Sequence, residues 1–147
     1  MKTLILFLLL LPTLAFSQIK PDEREAGVKI HTLIEQYSQA RETRDTVLLK
    51  KILTEDVDQL VSNGEWRNGL RAAVDGMLRS STANPGIRKL NVDKIKFLSD
   101  EIALVDCKYI ITDPSGTERN LWSSFTVIFQ KKSWKISAIR NMNPTGD

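Results

Sequence analysis

From residue 87 onward the chain is a series of four apolar-rich stretches joined by links too short for anything except hairpins. That pattern dictates an antiparallel meander. The stretches cover residues 87–98, 102–111, 121–129 and 134–142. Ser99-Asp100 supplies the first turn and Lys131-Lys132-Ser133 the last. Between them, Asp113-Pro114-Ser115-Gly116 is a turn with a mechanism, since Pro fixes φ and Gly admits a positive φ. The first stretch changes phase: Leu90 and Val92 keep one parity, Ile95 and Phe97 the other. A β-bulge near Asp93 accounts for the switch.

These strands carry apolar residues on both parities. Ile102, Leu104 and Ile110 fall on one side of the second stretch, with Val105, Cys107, Tyr109 and Ile111 on the other. In the third, Phe125, Val127 and Phe129 oppose Trp122 and Ile128. A sheet with one face in water alternates more cleanly than this. The second face is therefore expected to be covered, and a homodimer is the economical cover.

The N-terminal half reads as helix. Ala26, Ile30, Leu33, Ile34 and Tyr37 form an amphipathic stripe between Asp22 and about Arg41, with His31 at its edge. Asp45 is placed to cap a shorter helix holding Leu48, Leu49, Ile52 and Leu53. A third helix starts at Asn68 or Gly69, carries Leu70, Ala73, Val74, Met77 and Leu78 on one face, and gives way to loop chemistry in residues 80–86. The segment before it, TEDVDQLVSNGEWRNG, begins as a strand carrying Asp56 and Asp58 and ends in a Gly-flanked turn with Trp66 and Arg67. Helices first and strands second imply an α+β layering, three N-terminal helices on an antiparallel sheet.

Residues 1–17 read as a signal peptide rather than as part of the fold. Lys2 provides a positive start, Leu4 to Leu11 an apolar run too short to span a bilayer, and Ala15-Phe16-Ser17 a cleavage site before Gln18. Residues 18–147 then form one domain, exported to a periplasm or secreted, with no membrane span after cleavage. The formal charge of +3 is small and its cations are scattered, which argues against nucleic acid as a partner. Cys107 is the only cysteine, so no internal disulfide forms, and with one His the common zinc sets are out of reach. No metal or other cofactor is expected.

Two segments carry a family resemblance. ILTEDVDQLVSNGEWRNG, followed by the helix from Leu70, resembles the part of the SgcJ/EcaC subgroup where an acidic strand meets a Gly-Glu-Trp turn. The closing LWSSFTVIFQKKSWKISAIRNMNP is similar to that subgroup's final hairpin. The subgroup lies in the nuclear transport factor two-like (SnoaL-like, cystatin-like) superfamily, and the likeness spans nearly all of residues 18–147. It implies a cone-shaped roll with a pocket between the curved sheet and the helices. The superfamily includes isomerases, cyclases, dehydratases and many pocket proteins, so activity has to be argued from the site.

Asp58 is the candidate general base, because its neighbours Val57, Leu60 and Val61 call for burial and a desolvated carboxylate is more basic. Its alternative is a structural ion pair with Arg67, Arg71 or Arg140. Trp66 is a candidate flat wall for an apolar ligand, or a core plug. Arg140 and Asn141 face opposite ways on a regular strand, so one of them enters the pocket. Arg140 shares parity with Trp134, Ile136 and Ala138, which assigns it to the helix side. There it needs a partner: Asp58 or a ligand carboxylate. Tyr109 and Tyr37 are candidate hydroxyl donors to a ligand. Three functions remain: an exported pocket protein for a small, mostly apolar ligand; an isomerase, cyclase or dehydratase with Asp58 as base; and an envelope module that binds another protein.

Overall fold

A computed structural model describes residues 21–145; the signal peptide and cleavage point expected from the sequence lie outside them. Helix α1 runs Pro21–Thr43 and α2 Thr46–Ile52; strands β1 (Leu53–Leu60) and β2 (Trp66–Asn68) follow. Helix α3 (Leu70–Ala83) leads into β3 (Ile87–Ser99), β4 (Ile102–Thr112), β5 (Glu118–Gln130) and β6 (Ser133–Met142). The strands form one curved sheet in the order β2-β1-β6-β5-β4-β3, with the three helices packed on it. The α+β reading holds, with one refinement. β1 pairs with β6 in parallel, so the sheet is mixed rather than antiparallel throughout. No helix among the described residues is long and apolar enough to cross a membrane.

Local chemistry sets the element ends. Asp45 caps α2, its carboxylate accepting from the Leu48 amide at 2.9 Å. The Asp113 carboxylate accepts from the amides of Ser115 (2.8 Å) and Thr117 (3.0 Å), and Gly116 takes φ 88°, as the turn chemistry requires. α3 outlasts the expected stop at residue 80 and continues to Ala83. Its late hydroxyl residue is compatible with a helix because Thr82 Oγ1 donates to the Leu78 carbonyl at 3.0 Å. Pro85 then bars Asn84 from helical φ/ψ, and the chain turns at Gly86, where a Cβ would stand 2.4 Å from the Thr112 carbonyl oxygen.

Two bulges decide which side chains face the helices. The register of β3 against β4 slips between Val92 and Lys94, placing the extra residue at Asp93 as the phase change in the sequence requires. A second bulge was not foreseen. On β6, Ile136 pairs with Val127 but Ala138 with Thr126, which leaves Ser137 extra. The inward set on β6 is therefore Trp134 and Ile136, then Ile139 and Asn141. Ala138 and Arg140 turn to the opposite face. The assignment of Arg140 to the helix side is thus corrected, because a bulge inverts parity for every residue beyond it.

The core lies between α1, α3 and the inward residues of the sheet. Ile30, Ile34 and Tyr37 of α1 meet Val105, Phe125, Ile136 and Ile139, all at 1% exposure or less, in a single apolar cluster. Tyr37 and Phe125 pack edge to face with centroids 5.4 Å apart. Cys107 is a buried small hydrophobe; burial, with Asp106 and Asp93 adding, pushes its thiol up to about 12 and leaves it unreactive near neutral pH. Gly76 on α3 exists for a neighbour: a Cβ there would meet the Arg67 guanidinium at 2.3 Å.

Candidate functional site

The six residues proposed for a site divide between the two faces of the sheet. Asp58, Trp66 and Arg140 lie together on the face away from the helices, brought side by side by adjacent strands β2, β1 and β6. Arg140 Nη1 donates to Asp58 Oδ1 at 2.6 Å and to the Ile139 carbonyl at 3.0 Å. Its guanidinium stacks over the Trp66 ring, 4.8 Å from the centroid, while Trp66 remains 53% exposed. So the carboxylate offered as a general base is engaged by an arginine on the open face of the sheet. Asp56 is exposed on β1. Neighbouring groups on the same face pair locally: Ser124 Oγ donates to Asp106 Oδ1 at 2.7 Å, and Lys108 lies over Trp122.

The Asp58–Arg140 side chains are both about one-third exposed (37% and 35%), so solvent screens the pair. A double-mutant cycle with Asp58→Asn and Arg140→Gln should give a coupling energy of about 1 kcal/mol or less by urea denaturation. A coupling of several kcal/mol would make the pair a structural keystone instead.

Tyr37, Tyr109 and Asn141 lie on the helix side, and the structure adds residues that the sequence reading passed over. The chief one is Arg41, which follows Tyr37 by one turn of α1 and is 6% exposed. Its Nη1 donates to the Tyr109 hydroxyl at 3.2 Å, and its guanidinium lies near both phenol rings, 5.7 Å from Tyr37 and 5.9 Å from Tyr109. Arg41 Nε has no acceptor and the Tyr37 hydroxyl has no partner at hydrogen-bonding geometry. Burial pushes the Tyr37 phenol above its ordinary value, against the opposing pull of Arg41. Asn141 accepts from Ser123 Oγ at 2.7 Å. Arg67, 7% exposed, donates to Glu65 at 2.8 Å and Gln59 at 3.3 Å, and holds the Glu65 carboxyl below its usual value.

A signal for Arg41 was present in the sequence. Position 41 continues the stripe through Ile30, Ile34 and Tyr37 at helical spacing, so an arginine there has to enter the core. Arg67 was named only as a possible partner for Asp58, and the structure gives it Glu65 and Gln59 instead. Nothing local marked Gln59 or Ser123. His31 is exposed, as its edge position suggested.

Solved structures share the fold. An NTF2-like protein with a cystatin-like fold from Novosphingobium aromaticivorans superposes with a TM-score of 0.73 at 19% identity, over 85% of this chain and 86% of its own. An NTF2-like protein of unknown function from Shewanella oneidensis MR-1 gives 0.69 at 18%, over 80% and 99%. The fold is NTF2-like. The hexachlorocyclohexane dehydrochlorinase LinA type 2 shares this fold with a TM-score of 0.71 at 13% identity, over 82% of this chain and 86% of that one. No protein-family model and no curated protein matches the chain. At these identities the likeness establishes the NTF2-like fold and leaves activity to the residues.

Proposed function

We propose that this chain is an exported pocket protein of the SgcJ/EcaC type that holds a small, mostly apolar ligand between its helices and its sheet. The observation that carries the reading is the identity of the buried polar groups. They are Arg41, Arg67, Arg88, Gln59, Thr54, Ser81 and Ser123, and no aspartate or glutamate among the described residues is buried with them. Buried polar groups of this kind, set among apolar residues, offer donors rather than a base, which suits binding. Proton abstraction, of the kind an elimination or isomerisation needs, calls for a base within reach of the substrate. The LinA dehydrochlorinase is evidence that an NTF2-like fold can carry such chemistry. In this chain Asp58 is committed to Arg140 on the far side of the sheet.

A homodimer belongs to the same proposal. Its support is the open sheet face, where Leu60, Leu104, Trp122 and Ala138 are partly exposed, with Trp66 at 53% and Met142 at 46%. Native mass spectrometry of protein purified from its own host tests both parts. The expected spectrum shows a dimer that releases a small organic molecule on activation. A ligand-free monomer would defeat the reading.

A further inference from the structure

The geometry points to Arg41, flanked by Tyr37 and Tyr109, as the anchor for the carboxylate of a small apolar monocarboxylic acid; this rests on the pocket reading and specifies its ligand. The argument starts from charge. Arg41 is buried between helix and sheet, and among the described residues it forms no ion pair. A buried cation without a counter-charge is costly, and two phenol faces with one neutral hydroxyl acceptor offset that cost incompletely. The other buried arginines differ. Arg67 has Glu65; Arg88 also lacks an ion pair and an acceptor at Nε, but its Nη1 and Nη2 donate to the backbone carbonyls of Gly86 and Asn84 that close the α3–β3 loop, whereas Arg41 has one phenol oxygen as its acceptor.

The unused hydrogen-bonding capacity at Arg41 is all of one kind. Nε of the guanidinium is a donor without an acceptor, and the Tyr37 hydroxyl is buried without a partner. The Tyr109 hydroxyl accepts from Arg41 and keeps its own proton to donate. Three donors and one positive charge therefore meet in an apolar surround. A carboxylate has one negative charge and two oxygens able to accept several hydrogen bonds, and its planar edge matches the guanidinium fork. A phosphate or sulfate dianion would leave a second charge buried with no cation facing it. The rest of the ligand has an apolar place to go. Tyr109 packs with Ile111, Leu121 and Leu90. Ile111 borders, with Pro85, Pro114 and Arg119, a surface cleft of about 390 Å³ between the α3–β3 loop and the β4–β5 turn; Arg41, Tyr37 and Tyr109 do not line it, so an acid reaching Arg41 has to enter past Ile111. That volume is in the range of small-molecule pockets.

The test pairs each acid with its uncharged twin. Benzoate, phenylacetate and octanoate, and the three corresponding amides, are titrated into the full mature chain by calorimetry at neutral pH. At least one acid should bind, with its amide at least tenfold weaker. Tyr37→Phe removes a hydroxyl that bonds to nothing in the protein, so the melting temperature should stay put while acid binding weakens about tenfold. Arg41→Met should reduce it at least a hundredfold, and Arg41→Lys should restore part of the loss. An acid and its amide binding alike, or acid binding indifferent to both Tyr37→Phe and Arg41→Met, would overturn the carboxylate anchor and leave the pocket reading standing. No binding by any of the six probes would also overturn the anchor; the pocket reading then stands or falls on the native mass spectrum.

Discussion

Arg41→Met should make the protein more stable, by about 2 kcal/mol, at the same time as it abolishes binding of an acidic ligand. Three terms decide the sign. Removing the guanidinium loses the hydrogen bond to Tyr109, worth about 1 kcal/mol, and two stacking contacts worth about 0.5–1 kcal/mol each. Against this stands the desolvation of an uncompensated charge, several kcal/mol per ion even after relaxation. Methionine fills a similar channel with an unbranched, adaptable side chain and no charge. The desolvation term exceeds the other two. Urea denaturation should show a higher midpoint at an unchanged slope. An unfolding free energy lower by more than about 2 kcal/mol would mean that the guanidinium is a satisfied structural element and that the cost attributed to it is absent. Binding sites that are kept at a cost in stability behave in this way.

The same arginine shows where sequence reading reaches its limit. Periodicity located Tyr37 on the core stripe, and one further helical turn along that stripe is Arg41. Arg41 entered the sequence reading only as the approximate end of the helix, a position where basic residues ordinarily complement the helix dipole in solvent. The phase change on β3 was legible since Leu90 and Val92 hold one parity and Ile95 and Phe97 the other, with the off-parity Ile87 and Leu98 confined to the strand ends. On β6 the equivalent change was hidden: Ile139 alone stands off the parity of Trp134, Ile136 and Ala138, and alanine is small enough for either face. That single ambiguity sent Arg140 to the wrong side of the sheet. The β1–β6 pairing was illegible for a different reason. It joins residues as far apart as Asp58 and Arg140, and no turn between them fixes a register. Short-range signals such as the Asp45 cap and the Asp113 turn were read correctly because their partners lie within four residues.

Phe125→Ala is expected to cost about 3–5 kcal/mol, a large part of the stability of a domain this size. Phe125 is 1% exposed and sits on the inward face of β5, opposite Val105 on β4 and Ile139 on β6, with the Tyr37 ring edge-on above it. Truncation removes contacts to both sheet neighbours and to α1 at once, and a position between rigid strands collapses poorly. Trp66→Ala is the control, since it deletes a larger ring that is 53% exposed and touches Arg140. Its cost should stay near 1 kcal/mol, set by the lost stacking. The pair thus separates burial from ring size by chemical denaturation. Phe125→Ala should also weaken acid binding, because Tyr37 loses the wall that orients its hydroxyl, whereas Trp66→Ala should leave binding unchanged if the ligand lies on the helix side. Equal destabilisation by the two substitutions would mean that Trp66 is covered in solution. The open sheet face would then be the buried interface, and the loss at Trp66 should grow with protein concentration as the dimer forms.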